Sequence, residues 1–376
     1  MVEIHKVDLK SKSEVNRFIQ VPFELYAGHP QWVPPFITDV KMMLNPDKHP
    51  YYEHSDAEFF LAEKDGKVVG RIAALENKPF NQYHDSKDAE FYLFECVNDQ
   101  EVANALFETV FDWARARGLN KLVGPKGFGP LDGYGIQIEG FEHRQMMNMM
   151  NYNYPYYRDL VENLGFSKAV DFVSSYSDPQ EFHCPPKVRK AAEIAKKRGT
   201  FQVLQFKNKR DLRKWAGRIG QAYNKAFVDN WEYYPLSSRE IDFVVDNIMT
   251  ILDPDLIKII VKDGDVVGFV FPFPDVSAAM QKNNGKLGPI AILRLLAEIK
   301  RTPWLSFNGV GILPEYQGLG GNAVMYAELE KAMGSKSQFV HSELTQVAET
   351  AEQMRKDLKN LGVRFYKNHR VYQREI

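Results

Sequence analysis

"KDGKVVG" at residues 64–70 and "KDGDVVG" at residues 262–268 spell one turn twice, once in each half of a chain of 376 residues. Asp-Gly between apolar runs signals a hairpin, because glycine accepts the positive φ that a two-residue reversal requires. The flanks agree. "EFFLAE" and "VVGRIAAL" bracket the first copy, "LIKIIV" and "VVGFVFPF" the second. Further out, "ENLGFSKAVDFVSSY" and "KNLGVRFYKNHRVYQ" each end an amphipathic helix at a glycine, Gly165 or Gly362, and continue as a strand. "VEIHKVDLKSKSEV" and "FQVLQFKNKRDLRK" both read as a strand followed by a polar helix start, and Trp32 and Trp231 repeat at nearly the same spacing. Similarity at so long a period marks a duplicated domain, not a solenoid. The expected fold class is α/β with α+β layering: mixed sheets flanked by helices, in tandem domains over residues 1–178 and 179–376. Their connector is the proline-bearing "SDPQEFHCPPKVRK", with a helix from about Lys187 to Arg198 packed between the domains.

Composition narrows the function. The 44% hydrophobic content supplies an ordinary globular core. A formal net charge of −1 leaves no basic excess to neutralise phosphates, so nucleic acid is not the expected partner. Cys96 and Cys184 are too few and too far apart for a disulfide framework or a cysteine-rich zinc site, which suits a reducing compartment. His183 and Cys184 are adjacent but do not make a metal site, and no metal is expected. "MVEIHKVDLKSKSE" lacks the apolar stretch of a secretory signal, and no run is long enough to span a bilayer. The expected location is cytoplasmic, with peripheral membrane contact left open.

The copies differ in two places. Between hairpin and next strand the second carries "PDVSAAMQKNNGKLGPIAILRLLAEIKRT", with Ile290, Ile292, Leu293, Leu295, Leu296 and Ile299 in one helical run. That run reads either as an extra core helix or as a lid for an apolar substrate. The other difference is "GVGILPEYQGLGGNAVMYAELEKAM", residues 309–333, where an apolar strand passes through a glycine-rich turn directly into a helix. Amides at a helix start are unpaired and carry the positive end of the helix dipole. Gly318, Gly320 and Gly321 clear side chains from a close approach, as a pyrophosphate needs. The spacing is neither GxGxxG nor a P-loop. The first copy, "FECVNDQEVANAL", has no glycine at this place.

Pro-x-Tyr-Gln-Gly-x-Gly after a strand, then helix, strand, "LxxLG"-like helix end and a last strand, resembles the GNAT acyltransferase superfamily. The resemblance implies that Ile312, Leu313, Gln317, Gly318, Leu319, Gly320, Gly321 and Asn322 contact the acyl-coenzyme A cosubstrate. It implies a first domain with a degenerate coenzyme loop, and acetyl or long-chain acyl transfer to a small-molecule or lipid amine by direct attack. "VPFELYAGHPQWVPP", "NPDKHPYYEHSDAEFFLAE", "GPLDGYGIQIEGF" and "RFYKNHRVYQRE" are similar to a narrower bacterial group of double GNAT proteins. Some of that group are linked to N-acylation of long-chain sphingoid amines. Asn322 replaces the loop's last small residue, and Leu358 stands where many members carry a tyrosine acid. An alternative is therefore a coenzyme-binding or regulatory protein that has lost transfer.

Aminolysis of a thioester needs a base for the amine and a donor for the thiolate. His341 and Glu343 alternate onto one face of the strand "QFVHSELTQ" and are the expected proton carriers, with Asp275 as another candidate base. Tyr372 is the expected acid, with Tyr366 and Tyr326 as competitors, and Asn308 could orient an amine. Each of these residues also has an ordinary structural reading. In the first copy, "GPKGFGPLDGYG" could close over the amine, with Asp132 pairing a cation.

Overall fold

Both Asp-Gly turns close hairpins with left-handed central residues: Asp65 and Gly66 at φ 53° and 72°, Asp263 and Gly264 at 52° and 90°. The computed structural model describes residues 1–376 except Pro130, Leu131, Asn148, Met149 and Gly318. Its strands, in chain order, are β1 (Val2–Lys6), β2 (Asp56–Lys64), β3 (Lys67–Glu76), β4 (Asp88–Cys96), β5 (Lys121–Gly124), β6 (Ile136–Glu139) and β7 (Ser167–Ser177). The second half adds β8 (Gln202–Leu204), β9 (Lys258–Lys262), β10 (Asp265–Pro274), β11 (Trp304–Ile312), β12 (His341–Ala348) and β13 (Arg364–Glu375). The chain forms two compact units. Unit 1 is Met1–Val173, Ser277–Arg294 and Lys367–Ile376; unit 2 is Ser174–Val276 and Leu295–Tyr366. Three segments thus lie outside a simple division at residue 178.

In unit 1 the sheet runs β1-β2-β3-β4-β5-β13, with β6 on β13. β1 to β4 are antiparallel, and β4 joins β5 in parallel over Asp88–Glu90 and Lys121–Val123. The closing strand comes from the end of the second copy, where Tyr372 pairs with Gly124. Helix Gln100–Arg115 repeats its apolar residues at three and four: Val102, Leu106, Phe107, Val110, Phe111 and Ala114. That stripe packs on Phe60, Ile72 and Phe91 of the sheet. Each such large apolar side chain contributes about 1.5–3 kcal/mol on full burial.

Unit 2 repeats the scheme: β8 to β11 antiparallel, then β11 parallel to β12 over Trp304–Phe307 and His341–Leu344. Even the irregularities repeat. The register slips between Arg71 and Ala73 in β3 and between Val270 and Pro272 in β10. The end of β7, which finishes the first copy, flanks β12. Ser342 Oγ donates to the Ser177 carbonyl (2.9 Å), and Gln346 N–H donates to Ser174 Oγ (3.1 Å).

Two expectations change. Helix Pro186–Lys197 lies in unit 2's own core, where Ala192 and Ala195 join Val324 and Ala327, and Arg189 holds Glu330. Helix Pro289–Ile299 is not a core helix, because Ile290 and Leu293 are each 67% exposed. No helix among the described residues is long and apolar enough to cross a membrane.

Candidate acyl-transfer site

β11 is paired on one side as far as Ile312, opposite Gly268 of β10. On its other side the register with β12 ends at Phe307 and Leu344, though both strands continue. The strands therefore part, leaving a wedge. Thr345 Oγ1 donates to the Phe307 carbonyl (3.1 Å) at the fork. Just past it, Gly309 takes φ 115°, and a Cβ there would meet Phe271 at 2.9 Å. Only glycine permits this kink in β11.

Beyond β11 the chain makes one tight turn, Pro314–Tyr316, and enters helix Gly321–Met333. Gly320 caps that helix at φ 96° without a side-chain hydrogen bond, and its first turn holds no acid. A Cβ on Gly321 would lie 2.6 Å from the Tyr316 carbonyl, so the loop folds this closely only with glycine. Ile312 and Leu313 are buried, while Gln317 and Leu319 face solvent. The Gln317 amide reaches back to the Ile312 carbonyl (3.4 Å). Half-buried Asn322 has an Oδ1 without a partner among the described residues, and Lys262 lies over the Tyr316 ring at 5.1 Å. Gly318 lies outside the described residues. Open amides, the helix dipole and absent acids fit a pyrophosphate chemically.

The residues expected to carry protons lie on the sheet face opposite the one that packs against this helix. Trp304 and Ser306 stand beside His341 and Glu343 in the parallel register, whereas Leu305, Phe307 and Leu344 point into the core with Val324. His341 lies on Trp304, ring centroids 4.5 Å apart, and its Nδ1 is bound by the Tyr176 hydroxyl at 2.9 Å. That leaves Nε2 as the nitrogen able to exchange a proton. Glu343 is fully buried and accepts a hydrogen bond from the Tyr366 hydroxyl. Burial first, then the Glu343 charge, pushes the Tyr366 phenol far above its ordinary range, so it stays protonated at neutral pH. Ser306 Oγ, fully buried beside Glu343, has no hydrogen-bond partner. Asp275 adds its charge to the same cluster, its N–H donating to the Trp304 carbonyl (3.0 Å).

His341 and Glu343 thus share one strand face in unit 2, and Tyr372 has a partner of its own. It belongs to unit 1, where its hydroxyl donates to Glu162 (2.9 Å). Tyr326 is likewise occupied, donating to Asp357 (2.7 Å). Asp132 turns inward in unit 1 and accepts the Gly129 N–H (2.9 Å); burial lifts its pKa to about 6. Sequence reading missed Tyr176 and Trp304. Trp304 follows from the strand register, but Tyr176 arrives on the first copy's closing strand and leaves no local signal. Among the described residues, no group of three or more His, Cys, Asp or Glu is placed to hold a metal.

This double arrangement, a hairpin-led sheet that forks beside a helix start, is the tandem GNAT fold. A tandem GNAT protein from the clavulanic acid biosynthesis pathway superposes with a TM-score of 0.55 at 11% identity, covering 100% of this chain and 98% of that one. A GCN5-related N-acetyltransferase from Sphaerobacter thermophilus gives 0.52 at 12% identity, over 100% and 95%. By sequence, the chain is similar to the bacterial ceramide synthase of Caulobacter vibrioides, 26% identical over 100% of this chain and 98% of that protein. It is also similar to Protein YghO of Escherichia coli, 24% identical over 97% and 94%. No protein-family profile matches the chain.

Proposed function

We propose that the protein is an acyl-coenzyme A-dependent N-acyltransferase whose chemistry lies in unit 2. One observation carries the reading: an uncapped, acid-free helix start follows directly on the strand that opens the fork. The described loop residues Ile312, Leu313, Gln317, Leu319, Gly320, Gly321 and Asn322 would hold the coenzyme, with its pyrophosphate on the helix amides. The acyl arm would enter the fork, where backbone amides of β11 polarise the thioester carbonyl. The amine nitrogen attacks that carbon, forming the C–N bond and placing the carbonyl electron pair on oxygen. Collapse breaks the C–S bond. His341 Nε2 takes the proton from the amine and passes it to the leaving thiolate, while Tyr366, held protonated on Glu343, fixes that carboxylate in place and is not the acid. The likeness to a ceramide synthase supports a long-chain lipid amine as acceptor and a long acyl chain as donor. A second reading, coenzyme binding without transfer, has one observation in its favour: Leu358 is buried in the core where family members carry the tyrosine acid.

Calorimetry with acetyl-, octanoyl- and palmitoyl-coenzyme A, paired with thiol release in the presence of a long-chain amine, tests both. We expect affinity to rise with chain length and His341→Ala to lower turnover about 10²–10⁴-fold at unchanged affinity. Binding without thiol release selects the second reading. Absence of binding overturns both.

A further inference from the structure

Helix Pro289–Ile299 wears its amphipathicity inside out. Small Ala291 and neighbouring Leu295 are 6% exposed, while Ile290 and Leu293 are 67% and Ile292 and Leu296 are 52% exposed. At 100° per residue these four span one continuous side, and Leu287, 41% exposed, extends it backwards. Single exposed apolar residues are ordinary, but a contiguous ridge of them marks a docking face.

Charge says what docks. Exposed Lys282, Lys286, Arg294, Lys300 and Arg301 surround the ridge, and Glu298 is the only acid between residues 276 and 303. The whole chain carries a formal net charge of −1, so this excess of cations is local. An apolar ridge framed by cations complements a layer with acidic headgroups over a hydrocarbon interior. The ridge is also held firmly from below. Helix Ser277–Asn283 binds unit 1 through Gln281 Nε2 to the Pro30 and Trp32 carbonyls (2.9 and 2.7 Å), and through Ser277 Oγ, which accepts the Met147 N–H (2.7 Å). Gly285 packs so closely that a Cβ would meet the Pro35 carbonyl at 2.3 Å, and its own carbonyl accepts the Ile37 N–H (2.9 Å). Arg294 donates to buried Asn283 (3.0 Å).

We propose that helix Pro289–Ile299 is an interfacial anchor that seats the protein on an anionic bilayer surface. The proposal does not rest on the acyl-transfer reading. Flotation of the full chain with phosphatidylcholine vesicles, with and without phosphatidylglycerol, tests it. The protein should float with the anionic vesicles at least tenfold better than with neutral ones, and less so at high salt. Ile290→Ser/Leu293→Ser and Lys286→Glu/Lys300→Glu, all at exposed positions, should each lower that binding at least tenfold while coenzyme affinity and melting temperature stay put. Leu293→Trp should shift its emission to the blue on adding anionic vesicles. Failure to float, or flotation indifferent to both double variants, overturns the proposal. So does a chain that self-associates through this ridge and becomes monomeric in the serine variant, which would assign the face to a second copy.

Discussion

Two helices occupy the same place in the two copies, and their first residues face opposite electrostatic problems. In unit 2, Gly320 leaves the start of helix Gly321–Met333 bare, with Asn322 second in the helix. In unit 1, Asp99 caps helix Gln100–Arg115 by accepting the Glu101 N–H (2.9 Å), and Glu101 stands second. Lys64 then pairs both acids at 2.7 Å. The strand before the helix differs to match. Past its short parallel register, β4 is covered by tyrosines: Cys96 N–H donates to the Tyr157 hydroxyl (3.0 Å), which donates to Glu95 (2.8 Å), and Tyr156 donates to the Cys96 carbonyl (2.8 Å). One helix start has no side-chain cap and no acid in its first turn, while the other is capped by an acid of its own. In unit 1 the end of the strand is thus satisfied by the chain's own polar side chains.

The most disruptive way to break that contrast is Arg71→Met. Arg71 is buried 3.7 Å from Glu95, at the register slip where β10 carries Val270. Removing it leaves the buried Glu95 carboxylate with the Tyr26 and Tyr157 hydroxyls but no cation, so urea unfolding should show a loss of about 3–5 kcal/mol. Burial raises the Glu95 pKa and Arg71 lowers it. Without Arg71 the folded pKa climbs further above the unfolded one. Stability is then retained at low pH, where Glu95 is protonated in both states, and lost as pH rises. The deficit should be larger at pH 8 than at pH 5; a pH-independent deficit would show that Glu95 is not the partner.

Next is Asn322→Glu, which gives unit 2 the acid found in unit 1. Coenzyme affinity by calorimetry should fall at least tenfold, about 1.4 kcal/mol. The melting temperature should hold or rise slightly, because an acid suits a helix start. The smallest effect is expected from Asp99→Ala, which should cost about 1 kcal/mol of stability as a lost cap. It should create no second coenzyme site, since the tyrosines still cover β4. A doubled binding stoichiometry would show that the cap alone had closed unit 1.

What was legible in the sequence was local. The Asp-Gly hairpins, the glycine helix ends and the passage from strand through glycine-rich turn to helix within 309–333 depend on neighbours within a few residues, and the turn chemistry states them. The pairing of His341 with Glu343 followed from strand alternation. What depended on distant pairing was hidden. Tyr372 looked like a member of the second copy because it is late in the chain, yet its strand pairs with β5. The run 289–299 stayed open between core helix and lid because periodicity reports an apolar helix without reporting which side faces water.

The closing strand of unit 1 also sets a clock. A ribosome has made β1 to β5 long before it reaches Lys367, and at ~5–20 residues per second the wait lasts on the order of ten seconds or more. Through that interval the β5 edge stands bare, a template for any passing strand. The same arrangement ties the two copies to each other. Neither half can be deleted or replaced alone, because each copy ends in a strand the other unit uses, so the duplication is inherited as one piece.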